Sequence, residues 1–506
     1  MYQQITPMVN NKRALRPMVA AITASVAVLA LQGCAIAPKG VGDYNLNKMP
    51  NWLQSHNEPL KSAPPIEFKQ TKWWQAVHDP ILSELIDQAL KDNASLRAAD
   101  ARTRAAMAQI GVLHADELPQ VGTHLDLNKQ KLSKNYYVPP PFSGVSMEQG
   151  VATLNLGWNI DLWGRQAKAI EAVEGQVKAA EAERAMVALK LSTDIAKVYV
   201  QIRWVGAYID QLQAIKALNE QMVNLQKTRL DLGLDNGNGL DRANDALAQT
   251  ELLLNQAEGQ KARYIAATES LVGDTAVVEK AVAALPKTLP DPILNYSPEQ
   301  PIALSLLARR PDLVGQRFMV QSAAAEVDTT RLAALPNINL NGYIGNQSIG
   351  WSKLTEPDSR VSLLGGVVDF PIFDGGKVKF ATAEKKAKFD ELKAQYEGSI
   401  TSAAQQVISE VILLKQLNEE IQSQEARTAS LENLTKRARQ RRELGIDSSM
   451  PAIEAELALR TQQTRLLQTK LQALGNQVDL VEALGGGYEN KDVLTELSSA
   501  NTQTKQ

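Results

Sequence analysis

Residues 152–172 read ATLNLGWNIDLWGRQAKAIEA, and two periodicities meet in them. Ala152, Leu154, Leu156, Trp158, Ile160 and Leu162 alternate with Thr153, Asn155, Gly157, Asn159 and Asp161, the period of two of a strand with one apolar and one polar face. Its 11 residues match a tilted membrane-crossing strand. From Arg165 to Leu232 the alternation gives way to good helix formers interrupted only by Gly175 and Gly206. A helix of these 68 residues would be about 100 Å long.

Within that stretch Leu191, Ile195, Val198, Ile202, Val205, Ile209 and Leu212 step by 4 and 3 in turn, a heptad seam that imposes a left-handed supercoil. It ends at Asp231-Leu232-Gly233-Leu234-Asp235, after which a second helical stretch returns to Gly273. The whole pattern then recurs. Gly164-Arg165 reappears as Gly376-Lys377, Leu232-Gly233 as Leu444-Gly445, and Val272-Gly273 as Leu484-Gly485, each 212 residues on. Val407, Leu414, Leu417 and Ile421 repeat the seam, and Glu443-Leu444-Gly445-Ile446-Asp447 repeats the turn. Upstream, Leu96 and Pro119 answer to Leu313 and Pro336 at a spacing of 217, which places five extra residues in a loop of the first copy.

Alternation is also present after Pro119 (Val121, Leu125, Leu127) and after Pro336 (Ile338, Leu340, Ile344), and less cleanly from Val361 to Phe370. Two hairpins follow, with tips near Leu132–Gly150 and Gly345–Arg360. Four strands cannot close a barrel and open edges are not tolerated in lipid, so a membrane reading requires several chains to share one barrel. A soluble sheet packed against the helices is the alternative at this point.

Residues 1–33 read as a targeting segment, with Lys12, Arg13 and Arg16 before the apolar stretch Met18–Leu31. Leu31-Gln32-Gly33-Cys34 looks like a lipobox, which makes Cys34, the sole cysteine, the expected site of lipid attachment. Ala35 follows instead of an inner-membrane retention aspartate, so outer membrane delivery is expected. Loss of the three basic residues moves the formal charge from −2 to −5, and nothing in the chain attracts nucleic acid. After Leu31 there is no apolar run long enough for a spanning helix.

Enzyme chemistry finds no foothold in the pattern. No phosphate-binding glycine loop, His-Glu-x-x-His motif or serine elbow occurs, and His56, His78, His114 and His124 lack metal-ligand spacing. Neither a cofactor nor a metal is expected. Arg309-Arg310-Pro311-Asp312 reads as punctuation before a helix near Leu313, with Asp312 as its cap and Pro311 in its first turn.

Trp73-Trp74 with Asp79-Pro80, WNIDLWGRQAKAIEA from Trp158, LLARRPDL from Leu306, LPNINLNGYIG from Leu335, FPIFDGGKVK from Phe370 and ALGGGY from Ala483 together resemble the TolC/OprM-type outer membrane efflux factors, in the NodT lipoprotein branch. The resemblance implies a mainly α protein with a transmembrane β part. Three chains would contribute four strands each to one 12-stranded β-barrel, continued by a long α-helical coiled-coil barrel through the periplasm. Expected segments are a signal peptide (1–33), an acylated extended arm (34–78), a first repeat (79–273, β-hairpin 119–162, tip near 233), an equatorial connector (274–301), a second repeat (302–485, β-hairpin 336–371, tip near 445) and a polar tail (486–506).

The same resemblance assigns contact with a periplasmic adaptor protein to the tips Leu232, Gly233, Leu234, Leu444, Gly445 and Ile446. For the two glycines plain helix capping is the competing account, and both can hold. A pore constriction would draw on Asp231, Asp235 and Asp447, with solvated tip charges as the alternative. Implied partners are the chain itself as a homotrimer, the adaptor, an inner-membrane pump of RND or MFS type, and outer membrane lipid. The implied function is passive conduction of drugs or other small molecules across periplasm and outer membrane; a duct for type I protein secretion and a non-conducting scaffold lipoprotein are the competitors.

Overall fold

The computed structural model describes residues 37–46, 72–135, 139–286, 288–290, 292 and 309–493. Cys34, His56, the targeting segment and most of the expected arm, together with the end of the tail, lie outside the described residues. The described helices are α1 (Pro80–Asp92), α2 (Ala94–Asp116), α3 (Arg165–Asp231), α4 (Asn238–Val272), α5 (Thr275–Ala283), α6 (Pro311–Leu332), α7 (Lys377–Glu443) and α8 (Ser449–Ala483). The strands are β1 (Gln120–Lys131), β2 (Ser146–Ile160), β3 (Asn337–Ile349) and β4 (Arg360–Asp369). Helices α3 and α7 have 67 residues each and their return arms α4 and α8 have 35 each, so the duplication extends to element lengths.

The chain divides into two compact units. One holds the sheet with residues 37–46, 104–177 and 318–394; the other holds the described residues of 47–103, 178–317 and 395–506. In the sheet unit, β1 to β4 form an antiparallel meander in chain order, leaving β1 and β4 as free edges. Pro119, Pro336 and Pro371 stand at three of the four helix–strand junctions, where the missing donor falls outside the ladder. Trp158 Nε1 donates to the Glu117 carbonyl (2.8 Å) and Trp163 Nε1 to the Pro336 carbonyl (2.6 Å), tying each junction to the next strand or helix end. Asp161 caps α3 through the amides of Arg165, Gln166 and Ala167, and Asp374 does the same for α7 through Gly376 and Val378. These backbone bonds hold the Asp374 carboxyl below the usual carboxylate range.

In the second unit six of the seven heptad-seam residues, Leu191, Ile195, Ile202, Val205, Ile209 and Leu212, are at or below 9% exposure, and Val198 is half-buried. The unit's core joins Trp73, Leu82, Ile86, Tyr199 and Val478. The Trp73-Trp74 and Asp79-Pro80 motifs serve this core. Trp73 Nε1 donates to Ser192 Oγ (3.0 Å), while Asp79 caps α1 through Ile81 and Leu82 and accepts from Tyr199 Oη (2.5 Å) and Arg203 Nη1 (3.2 Å).

Several expectations need correction. The i, i+3, i+4 pattern of Leu82, Leu85, Ile86, Ala89 and Leu90 predicts one helical run from Asp79-Pro80 to Pro119; it is two helices, because Asn93 leaves the helical region and its side chain accepts from the Ser95 amide. Both hairpin tips are shorter than expected: β2 starts at Ser146 and β3 runs to Ile349, since backbone pairing continues past the last alternating residues. Pro311 opens α6, and Asp312 sits inside its first turn, where its Oδ1 accepts from the Leu313 amide at 2.9 Å. The same carboxylate also receives Arg310, whose Nε and Nη2 lie 3.1 and 2.8 Å from it while Nη1 donates to Gln406 and to the Ala483 carbonyl. The ARRPD and ALGGGY motifs therefore meet in one buried node.

Candidate functional site

The sheet separates two kinds of side chain. Register and pleat put Val121, Thr123, Leu125 and Leu127 of β1 on one face with Ala152, Leu154, Leu156, Trp158 and Ile160 of β2, Ile338, Leu340 and Ile344 of β3, and Leu364 and Val368 of β4. Opposite them lie Gln120, His124, Asp126 and Asn128, then Thr153, Asn155 and Asn159, then Asn337, Asn339, Asn341, Tyr343 and Gln347. β4 blurs the division most, with Val361, Leu363 and Val367 on the polar side, where Val151 of β2 and Ile349 of β3 also fall.

The apolar face is open to its surroundings in the single chain. Leu125 is 69% exposed, Ile344 62% and Leu364 74%. Such a surface requires a covering of lipid or protein. Gly345 fits where β2 and β3 approach closely: a Cβ there would lie 2.1 Å from the Ala152 carbonyl oxygen. A sheet with one polar face, one apolar face and two unpaired edges leaves, by itself, its edge backbone unsatisfied in lipid.

The hairpin tips carry the second candidate site. Gly233 N donates to Leu230 and Leu234 N to Arg229; 212 residues on, Gly445 N donates to Arg442 and Ile446 N to Arg441. This is the same two-bond helix stop twice, with φ of +67° at Gly233 and +68° at Gly445. The capping account of the glycines therefore holds. Around them Leu232, Leu234, Leu444 and Ile446 point outward as exposed aliphatic side chains.

The tip acids differ in their surroundings. Asp447 receives Nε and Nη2 of Arg441 at 2.6 and 3.0 Å, and these bonds hold its carboxyl below the usual range. Asp235, its counterpart, faces Arg229 at 3.9 Å, beyond hydrogen-bond reach. Asp231 is exposed and has no ion-pair partner among the described residues. The arginine partners escaped the sequence reading although Arg229 and Arg441 share the 212-residue spacing. So did Glu456, buried on α8 between Arg439 and Arg460, the latter reaching Gln211 of α3 at 3.4 Å.

Among the described residues no cluster of three or more His, Cys, Asp or Glu could hold a metal ion, and no helix is long and apolar enough to cross a membrane. His114 pairs with Glu117 at 2.9 Å, and His124 lies on the polar sheet face.

Comparison with known proteins gives the arrangement its context. The profile described as outer membrane efflux protein matches residues 85–274 and 303–486, one match per repeat. The multidrug resistance outer membrane protein MdtP of Escherichia coli K12 is 26% identical over 494 residues, covering 95% of this chain and 98% of its own. Among solved structures, the outer-membrane channel OprN superposes with a TM-score of 0.76 at 23% identity, over 90% of this chain and 100% of the other. The outer membrane protein VceC of Vibrio cholerae gives 0.73 at 25% identity, over 83% and 100%. The fold is thus shared with these two solved structures over most of this chain, the profile covers both repeats, and the chain belongs to the outer membrane efflux protein family.

Proposed function

We propose that three copies of this outer membrane efflux channel close one 12-stranded barrel, four strands from each, and conduct drugs or other small molecules passively from a periplasmic adaptor and an inner-membrane pump of RND or MFS type. The observation that carries the reading is the open-edged sheet with one apolar and one polar face. In lipid its edges are satisfied only by pairing β4 of one copy with β1 of the next. The polar face then lines the lumen and the apolar face meets acyl chains. Names such as multidrug resistance outer membrane protein among the relatives support drugs as the cargo.

The exposed tips Leu232–Leu234 and Leu444–Ile446 are the proposed adaptor contacts, and of the three tip acids Asp231 is the one whose charge is free to form a constriction. Cys34 carries the lipid anchor. The channel performs no covalent chemistry and needs no cofactor; energy comes from the pump. A type I secretion duct would share the barrel and differ only in its partner, whereas a scaffold lipoprotein would pass no current.

Edge pairing is testable by crosslinking. Within one chain β1 and β4 are separated by two strands, about 14 Å at the usual spacing, too far for a disulfide. A Thr123→Cys chain combined in turn with Ser362→Cys, Leu364→Cys or Gly366→Cys is oxidised in membranes. The proposal expects covalent dimers and trimers from at least one pair; monomer alone from all three contradicts it.

A further inference from the structure

The apolar face of the sheet changes character at its loop end. Along β1 the outward series Val121, Thr123, Leu125, Leu127 continues into Lys129 and Lys131, and along β4 the series Val368, Gly366, Leu364, Ser362 ends in Arg360. All three cations are exposed and lie on the same face as the aliphatic belt. The carboxylate on that part of the face, Glu148, is held by Lys129 at 2.9 Å.

Lys131 stands opposite Ser146 and Arg360 opposite Asn346, and neither has an ion-pair partner among the described residues, although Glu356 and Asp358 lie in the loop before Arg360. Lys134 and Lys353 offset those two loop acids. On the β3–β4 loop, Leu354 packs beside Leu127 at Gly150, and Trp351 donates its Nε1 to the Gln149 carbonyl at 3.1 Å. An apolar belt bounded by tryptophan and then by cations matches the order of acyl chain, interface and headgroup.

Lys129 and Lys131 are on one edge strand and Arg360 is on the other. This inference rests on the proposed trimer, in which β4 of one copy runs antiparallel to β1 of the next. Within one sheet Arg360 is level with Asn346, Ala152 and Leu125; closing tilted strands into a barrel staggers neighbouring copies along the strand, and a stagger of about four to six residues sets Arg360 beside Lys129 and Lys131 of the neighbouring copy, outside the barrel and at headgroup depth. Three cations against one carboxylate repel one another across a joint that has to close. An anion between them removes that penalty.

We propose that each seam binds a phosphorylated glycolipid of the outer leaflet, its phosphates bridging Arg360 of one copy to Lys129 and Lys131 of the next and its acyl chains lying on Leu125, Leu127 and Leu364. Lipid so placed belongs to the assembly, filling the outer end of the joint between chains.

The test uses full-length protein and its Lys129→Gln/Lys131→Gln/Arg360→Gln variant, both purified in detergent, exposed to purified lipopolysaccharide and analysed by native mass spectrometry. The same lipopolysaccharide stripped of phosphate and phosphatidylglycerol vesicles serve as the other probes, and conductance is recorded alongside. Wild type should retain intact lipopolysaccharide on the trimer, and the variant or the stripped lipid should lower retention at least about tenfold, as expected for loss of three headgroup-level charges. Equal retention by variant and wild type, or of intact and stripped lipid, overturns the proposal while conducting trimers leave the duct standing. Equal retention of phosphatidylglycerol overturns the glycolipid assignment. A wild type that forms no conducting trimer removes the seam itself, and with it both readings.

Discussion

At the residue level the two tip glycines combine a conformational need with an open surface. Both have positive φ, and a Cβ at either position would meet nothing within 4 Å. Gly233→Ala and Gly445→Ala therefore strain the cap by about 1 kcal/mol without filling the surface, whereas Trp adds the same strain plus bulk. Drug susceptibility of cells should rise severalfold with Trp and stay near wild type with Ala, the trimer persisting in both; equal resistance in all four variants would remove the tips from adaptor contact. Charge separates the acids. Because Arg441 depresses the Asp447 pKa, that contact is kept above the ordinary carboxylate pKa and lost only as pH falls through the depressed value, so it is constant across neutral pH. Asp231→Asn should then lower cation selectivity in reversal-potential measurements at pH 7 by more than Asp447→Asn does; the opposite order would place the constriction elsewhere. The glycines were legible from their spacing, but the arginine partner of Asp447 was not, because Arg437, Arg439, Arg441 and Arg442 all crowd that turn and the sequence does not say which of them folds back onto a carboxylate.

Among the elements, helix hairpins and strands were legible from period and repeat, since heptads and alternation report burial directly. Strand ends were not: β2 begins at Ser146, and its Met147, Glu148 and Gln149 pair through backbone groups whatever their side chains. The role of Arg310 was likewise hidden, because its partners Gln406 and Ala483 are far away in sequence. Arg310 is 8% exposed and joins the start of α6 to α7 and to the end of α8. Removing it as Arg310→Ala leaves Asp312 and the Ala483 carbonyl short of a donor and should cost roughly 2–4 kcal/mol, with Arg310→Lys intermediate because it cannot form the fork. Thermal melting of the helices followed by circular dichroism checks this. A wild-type melting curve for Arg310→Ala would show the node to be incidental.

For the whole molecule, the strand count made an assembly the condition of any membrane reading before any coordinates, beside the alternative of a soluble sheet: four strands cannot seal themselves, and no apolar run after Leu31 is long enough for a spanning helix. What the sequence could not convey is the division of faces strand by strand, which depends on register and places Asn155, Asn341 and Tyr343 on the polar side. That division is what makes the sheet a conduit wall instead of a membrane-buried plug. The most direct measurement is single-channel conductance of the purified full-length protein in a planar bilayer, with the subunits of the same preparation counted by native mass spectrometry. A trimer that passes steady ionic current is the predicted result; a monomer that inserts or stays in solution without current would contradict it.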